Sequence, residues 1–413
     1  MKDSQKLPSL FSLCVNTLAF LIPACSLATS WTTFRLTLLL SLLGLTAKLL
    51  GLADNGKVPR LLYALGTLAL IVSALSAYHS DRWGVVHLPI AIIVLMPAYW
   101  AFRVPGVKFG WAYMGAVVGA GIGAYMAINT GGLDGNREAG VFNPIPNGGM
   151  ALALALASAC AIKHKPQLVK KQVWIAACLT GTACGIAVSL LSGSKSGWIS
   201  FALLPIGFAL YFPNVRAWTT TKSGVITIFS AAAIGIAALT LGPNGERINH
   251  GYDGIQSYLA TGVVTEGSIG PRLEMWRYGL HMVPKAPILG IGKRVMEQDM
   301  QSRAREGEYA TILAHLYTLH NEFLHILVIN GIVGLLAVVW VYIEVFRLFP
   351  RDKIQTISSG CYMAVGLGLI YLALGIGEVA IQLKDLRDFF LFWVFFLAAQ
   401  SSVATQLSNQ SSE

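Results

Sequence analysis

The feature that most constrains this chain is its succession of long apolar runs. A helix needs roughly 20 mostly apolar residues to cross the hydrocarbon of a bilayer, where only a helix or closed barrel satisfies its own backbone. Twelve such runs lie near 10–28, 32–52, 60–78, 85–102, 107–128, 147–162, 172–191, 197–213, 223–242, 322–346, 355–376 and 386–403. Of 413 residues, 12% are charged and 55% are hydrophobic, whereas an average soluble domain is nearer a quarter charged. A soluble enzyme or a disordered chain is excluded. The expected fold class is all-α, a polytopic membrane protein of about 12 transmembrane helices. The first run lacks a small-residue cleavage site and another run follows at once, so it reads as a span, not a cleavable signal.

The net charge of +10 raises the question of nucleic acid, and its placement answers it. One set of loops holds fifteen basic residues, including Lys57, Arg60, Arg103, Lys108, Lys163, Lys165, Lys170, Lys171 and Arg347, against five acids. The opposite short loops balance six basic residues with six acids. The positive-inside rule then puts both termini in the cytoplasm. The excess charge is a set of topological anchors, with no basic patch for nucleic acid. The six cysteines all fall in apolar runs without metal spacing, and read as small buried residues.

One outer loop, 243–320, runs for about 78 residues with eight basic and eight acidic side chains. Unstructured loops of that length are uncommon and usually functional. It divides the chain into an N-terminal membrane bundle (1–242), a loop domain (243–320) and a C-terminal membrane segment with a short tail (321–413). Within the loop, Pro271 suits a first helical turn, and Pro284 and Pro287 end the run. Leu273, Trp276 and Leu280 form an apolar stripe, widened by Met275 and Met282, that is expected to lie along the headgroup plane or simply to cover the bundle. Arg272 falls in the first turn, where backbone N–H groups and the helix dipole favour an anion, and its guanidinium matches phosphate oxygens. Arg277 is expected on another side, against headgroups or solvent.

The loop ends in His320-Asn321-Glu322, a dense polar triplet where an apolar helix begins. Ionisable groups at such a place point to function, although capping is the plainer reading. Imidazole as a residue type exchanges a proton near neutrality. Glu322 is expected to orient His320 or cap the helix, and His325 to face another side. Lys195, in Ser194-Lys195-Ser196 at a span end, either meets an anion or snorkels to the interface. Arg137 lies in an outer loop beside Glu138. Glu378, Lys384, Asp385, Arg387 and Asp388 are expected to be solvated or to face an acceptor. No Asp-x-Asp pair occurs in the outer loops, and Glu297 and Asp299 come nearest.

The run Gly270-Pro-Arg272-Leu-Glu-Met-Trp-Arg, followed by Leu319-His320-Asn321-Glu322 and an apolar helix with Gly331 and Gly334, resembles bacterial O-antigen ligases. O-antigen polymerases and protein O-oligosaccharyltransferases share that superfamily. The resemblance implies a GT-C-like, inverting, metal-independent glycosyltransferase of the inner membrane, with a long periplasmic loop and no cofactor. The donor it implies is undecaprenyl diphosphate-linked O-antigen, and the acceptor is the lipid A–core oligosaccharide. Residue by residue, Arg272 matches the family's diphosphate-binding arginine and His320 its proposed catalytic histidine. Lys195 stands where a second phosphate-binding arginine is expected, a departure that keeps the charge and loses the fork. Arg137 matches a further loop arginine, with Asn321, Glu322 and Arg277 in support. The rivals are a polymerase, which uses carrier-linked glycan on both sides, and a transporter, which would show broken helices with charges near mid-membrane.

Overall fold

The computed structural model describes residues 6–81, 87–131, 143–226, 243–264, 269–349 and 359–410, and among them every regular element is helical. In chain order these are α1 (Lys6–Cys25), α2 (Thr32–Leu49), α3 (Arg60–Tyr78), α4 (His87–Leu95) and α5 (Ala98–Ala101). Then come α6 (Gly110–Asn129), α7 (Pro144–Cys160), α8 (Lys171–Leu191), α9 (Lys195–Tyr211) and α10 (Pro213–Thr219). The loop domain supplies α11 (Pro243–Thr261), α12 (Gly270–Met282) and α13 (Lys293–Arg305), and the chain closes with α14 (Glu322–Phe346), α15 (Ser359–Gly377) and α16 (Lys384–Gln410).

Among the described residues nine helices are long and apolar enough to cross a membrane. Nine of the twelve expected runs thus appear as single spans. The run at 85–102 is instead the shorter apolar stretch His87–Ala101. The run at 197–213 breaks at Phe212, where α9 and α10 meet at 113°. Phe212 is extended (φ −110°, ψ 108°), because a residue before proline is pushed out of the helical region. Most of the run at 223–242 lies outside the described residues.

The bundle is organised around α16. Phe389, Phe390, Phe392, Trp393 and Phe396 are each at most 1% exposed, so this helix is apolar on every side and sits at the centre, as such a helix must. The helix ends sort into two faces. On one, Asp54 after α2 accepts hydrogen bonds from Arg103 after α5 (2.8 Å) and from Gln406 near the end of α16 (2.6 Å). Phe11 of α1 packs with Ala53 and Val104 on the same face. There too the Tyr211 hydroxyl, at the end of α9, donates to the Phe346 carbonyl at the end of α14. The start of α14 and the loop domain occupy the other face. The beginning of α1 and the end of α16 therefore share the face remote from His320.

The loop domain has its own small core. Met275, Tyr278, Met282, Met296, Met300, Tyr309 and Leu313 bury one another and reach Val328 and Ile329 of α14. The buried face of α12 thus keeps Met275, Trp276 and Met282 of the expected stripe, adds Tyr278 and leaves out Leu280. Met275, Tyr278 and Met282 turn inward, whereas Leu280 is 65% exposed. The deciding partner is α13, which offers Met296, Met300 and Ala304 at helical spacing. Helix α14 is broken at Gly331 (φ 64°, ψ −167°). Residues 287–292 lie along the break. Ile291 and Gly292 donate to the carbonyls of Val328 and Ile329 (2.9 and 3.0 Å), and Ile332 donates to the Pro287 carbonyl (2.9 Å). Irregular backbone at this depth is tolerated because protein covers it. A side chain at Gly331 would collide with the Ile288 carbonyl and would also need the left-handed region.

Candidate active site

His320 sits immediately before α14 with φ at 43°, a left-handed conformation that non-glycine residues adopt at a cost. Two contacts hold it. Asn321 caps α14, its side chain accepting from the Leu324 N–H (3.0 Å) and donating to the Ile376 carbonyl (3.2 Å). The His320 ring is tied through Nδ1 to the Glu378 carboxylate at 2.9 Å. Glu378 is buried, with 5% of its side chain exposed, and the histidine ring retains 28%. The second Glu378 oxygen accepts from the Val379 N–H (3.0 Å). With a carboxylate on Nδ1, that nitrogen is the donor, and in a neutral ring Nε2 carries the lone pair.

The residue expected to orient His320 does not do so. Glu322 is fully buried and accepts from the Ile381 N–H (3.2 Å), pinning the loop that carries Glu378. Glu378 itself was expected in solvent, as were Arg387 and Asp388. All three are buried, and Arg387 Nε donates to Asp388 at 3.0 Å. His325 is buried as well.

Two helix starts, those of α9 and α12, lie near this pair. At α9, Ser194 is the cap, accepting from the Gly197 N–H (3.3 Å). Ser196 of its first turn abuts Gly377, next to Glu378. A Cβ built on Gly251 of α11 would lie 2.6 Å from Lys195 Nζ and 3.0 Å from Ile269 Cδ1. The Lys195 ammonium and the residue opening α12 are therefore side by side. Arg272, half-buried, lies in the first turn of α12. Trp276, one turn on and on the same face, donates from Nε1 to the carbonyl of Leu319, the residue before His320 (3.1 Å). Lys195 thus lies beside the start of α12, and α12 in turn is tied to the residue before His320. Arg137 lies outside the described residues.

Neither α9 nor α12 has an acid in its first turn. Each has a cation there, against the helix dipole, an arrangement unfavourable by about 0.3–1 kcal/mol per site. A phosphate-bearing group between the two helix starts turns that cost into attraction.

Arg277 does something other than expected. Its guanidinium forks onto Glu274, with Nε and Nη2 at 2.9 and 2.7 Å from the two oxygens. It also reaches the Glu308 carbonyl (3.1 Å) and lies over the Tyr309 ring at 4.5 Å. Glu274, 3% exposed, further accepts from the Tyr258 hydroxyl (2.6 Å) and the Ala310 N–H (3.1 Å). Burial raises its carboxyl, but the bonds from Arg277, Tyr258 and Ala310 outweigh it and hold the group below the usual carboxylate range. Arg277 therefore positions α12 from inside the loop domain.

Beside the His320–Glu378 pair opens a cavity of about 520 Å³, bordered by Thr318 and Val379. Its walls are apolar, from Leu68 and Val72 of α3, Leu88 and Ala91 of α4, and Ile326 of α14. Lys293, Lys384 and Arg387 border it as well. Lys384 lies over the Trp31 ring at 3.5 Å and Asp385 accepts from it. Lys293 is delivered by Asp81, whose two oxygens accept from the N–H groups of Lys293 and Arg294 (3.1 and 2.9 Å) and so cap α13 from a distance. Among the described residues no group of three or more His, Cys, Asp or Glu side chains could hold a metal.

Sequence reasoning missed Glu378, Lys293 and Asp81 as contributors. For Glu378 a signal was present: an isolated acid closing a strongly apolar run, beside the glycines of α15, is an expensive place for a charge without a partner.

Residues 180–339 match the O-antigen ligase family. That segment holds Lys195, Arg272, His320, Asn321 and Glu322, and it leaves Glu378 outside. An uncharacterized protein of Haemophilus influenzae is 26% identical over 186 residues, which is 44% of this chain and 45% of that relative. The match thus spans less than half the relative's length.

Proposed function

We propose that this chain, which carries an O-antigen ligase family domain over residues 180–339, moves O-antigen polysaccharide from undecaprenyl diphosphate to the lipid A–core oligosaccharide. Transfer takes place at the periplasmic face of the inner membrane, with both termini in the cytoplasm. The observation that carries the reading is the meeting of a carboxylate-held histidine with two cation-bearing helix starts beside an apolar cavity. A lipid-borne diphosphate has the matching parts: two phosphates for the cations and a chain for the apolar walls.

The acceptor hydroxyl oxygen attacks the anomeric carbon, and its proton passes to His320 Nε2. The bond from that carbon to the diphosphate oxygen breaks on the opposite side, which gives inversion. The leaving undecaprenyl diphosphate gains negative charge, which Arg272, Lys195 and the starts of α9 and α12 receive. No step is assigned to a metal. Arg137 is a further candidate for the diphosphate.

Arg272→Ala, expressed in cells lacking the native protein, is expected to leave lipid A–core without O-antigen while carrier-linked polymer accumulates. Lipopolysaccharide gels read this directly, with membrane levels of the variant as control. A single repeat unit on the core would instead mark a polymerase, and a normal ladder from Arg272→Ala would sink the phosphate assignment. Lys195 divides charge from geometry. Lys195→Arg is expected to keep transfer, and Lys195→Gln to lower its rate by about 100-fold, measured with purified enzyme and both lipid substrates.

A further inference from the structure

A second cavity, of about 650 Å³, lies on the face remote from His320. Helix α14 separates the two: Glu322 opens it beside His320, and Glu344 and Arg347 close it at this cavity, roughly 35 Å away along the helix. Four cations line it, namely Lys57, Arg60, Arg103 and Arg347, with Glu344 as the acid. Ser402 and Thr405 of α16 add hydroxyls.

Arg103 is the unusual member. Its side chain is 1% exposed. One nitrogen, Nη2, donates to Asp54 at 2.8 Å, while Nε and Nη1 are buried without a hydrogen-bond partner among the described residues. A buried guanidinium with two idle donors is costly, and Asp54 does not relieve it. That carboxylate is shared with Gln406 (2.6 Å) and the Gly56 N–H (3.1 Å), and is itself half exposed. The backbone at Gly56 leaves no spare room: a Cβ there would strike the Arg103 guanidinium and lie 2.7 Å from Gln406 Nε2. The guanidinium is thus wedged against the cavity. Glu344 does not serve it either: its Oε1 faces Trp340 Nε1 (3.3 Å) and Arg347 (3.8 Å).

We propose that this cavity is a phosphate-binding site, taking the phosphate of an anionic phospholipid headgroup or free inorganic phosphate on the face opposite the transfer site. Arg103 gives the fixed, desolvated donors, and Lys57, Arg60 and Arg347, all exposed at the rim, give the charge that draws the anion in. Nothing in this assignment depends on the transfer reaction.

The test uses the purified full-length chain in neutral detergent and reads thermal unfolding with three additions at matched ionic strength: phosphatidylglycerol, phosphatidylcholine and inorganic phosphate. Phosphatidylglycerol is expected to raise the midpoint where phosphatidylcholine does not. The triple variant Lys57→Gln, Arg60→Gln, Arg347→Gln leaves the Arg103–Asp54 contact intact and is expected to weaken that response at least tenfold. A control triple on the same face, Lys108→Gln, Lys170→Gln, Lys171→Gln, is expected to respond as the wild type does. A midpoint shift with phosphatidylglycerol alone assigns the site to a headgroup, and an equal shift with inorganic phosphate assigns it to the free anion. The proposal is overturned if neither shifts the midpoint, or if the control triple weakens the response as much as the cavity triple.

Discussion

His320→Ala is expected to lower glycan transfer by a factor of about 10²–10⁴, and Glu378→Ala to bring most of the same loss. The two residues form one device. The 2.9 Å contact from Nδ1 to the carboxylate holds the ring in one orientation and fixes the proton on Nδ1, which leaves Nε2 to take the acceptor's proton. Without Glu378 the ring turns and the tautomer is no longer chosen, so the base is present but misdirected. Residues that act as a unit are non-additive. The double variant His320→Ala, Glu378→Ala should therefore be no slower than His320→Ala alone. Glu378→Gln keeps an acceptor for Nδ1 without the charge and should fall between wild type and Glu378→Ala. Single-turnover transfer with purified enzyme reads all four. Full activity in Glu378→Ala would remove Glu378 from the site, and additive losses would show that the two residues act separately.

The contrast between His320 and Glu378 shows what kind of information the chain carries openly. Nine spans could be read because burial in lipid demands apolar side chains along the whole helix, and composition alone reports that. His320-Asn321-Glu322 stood out because three polar groups occupy consecutive positions where such a run begins. The partner of His320 is 58 residues away, across two helices, and a distance of that kind leaves no periodic trace. The role of Arg277 was more accessible. Glu274 stands three residues before it, a spacing that places the two on one helix face, and that pairing argued against headgroup contact. The break in α14 had a local signal too, since Asn330-Gly331 is a turn dipeptide. The high mean apolarity of the helix concealed it. The exclusion of Leu280 from the buried face could not be read from α12 itself, because which side turns inward depends on where α13 presents its methionines.

Glu274→Ala is expected to destroy transfer from a distance, by loosening the loop domain that carries Arg272. The Glu274 carboxylate is where three segments meet: Tyr258 of α11, Arg277 of α12 and Ala310 after α13 all donate to it. Removing it strands those donors. Arg277 is 54% exposed, so water can take over part of its bonding, and the loss falls near 2–3 kcal/mol instead of the larger figure for a fully buried pair. Limited proteolysis in micelles should then cut within 243–320 at least tenfold faster than in wild type, while the membrane helices stay protected. Glu274→Gln keeps an acceptor for Tyr258 and Ala310 and should be milder. The same contacts set a pH dependence. Because folding lowers this carboxyl, its stabilisation is complete above the ordinary carboxylate range and is lost as pH falls through the lowered value. Acid should therefore open the loop domain of the wild type and change Glu274→Ala much less. If Glu274→Ala were cut at the wild-type rate at neutral pH and still failed in transfer, the glutamate would belong to the chemistry and not to the scaffold that aims Arg272.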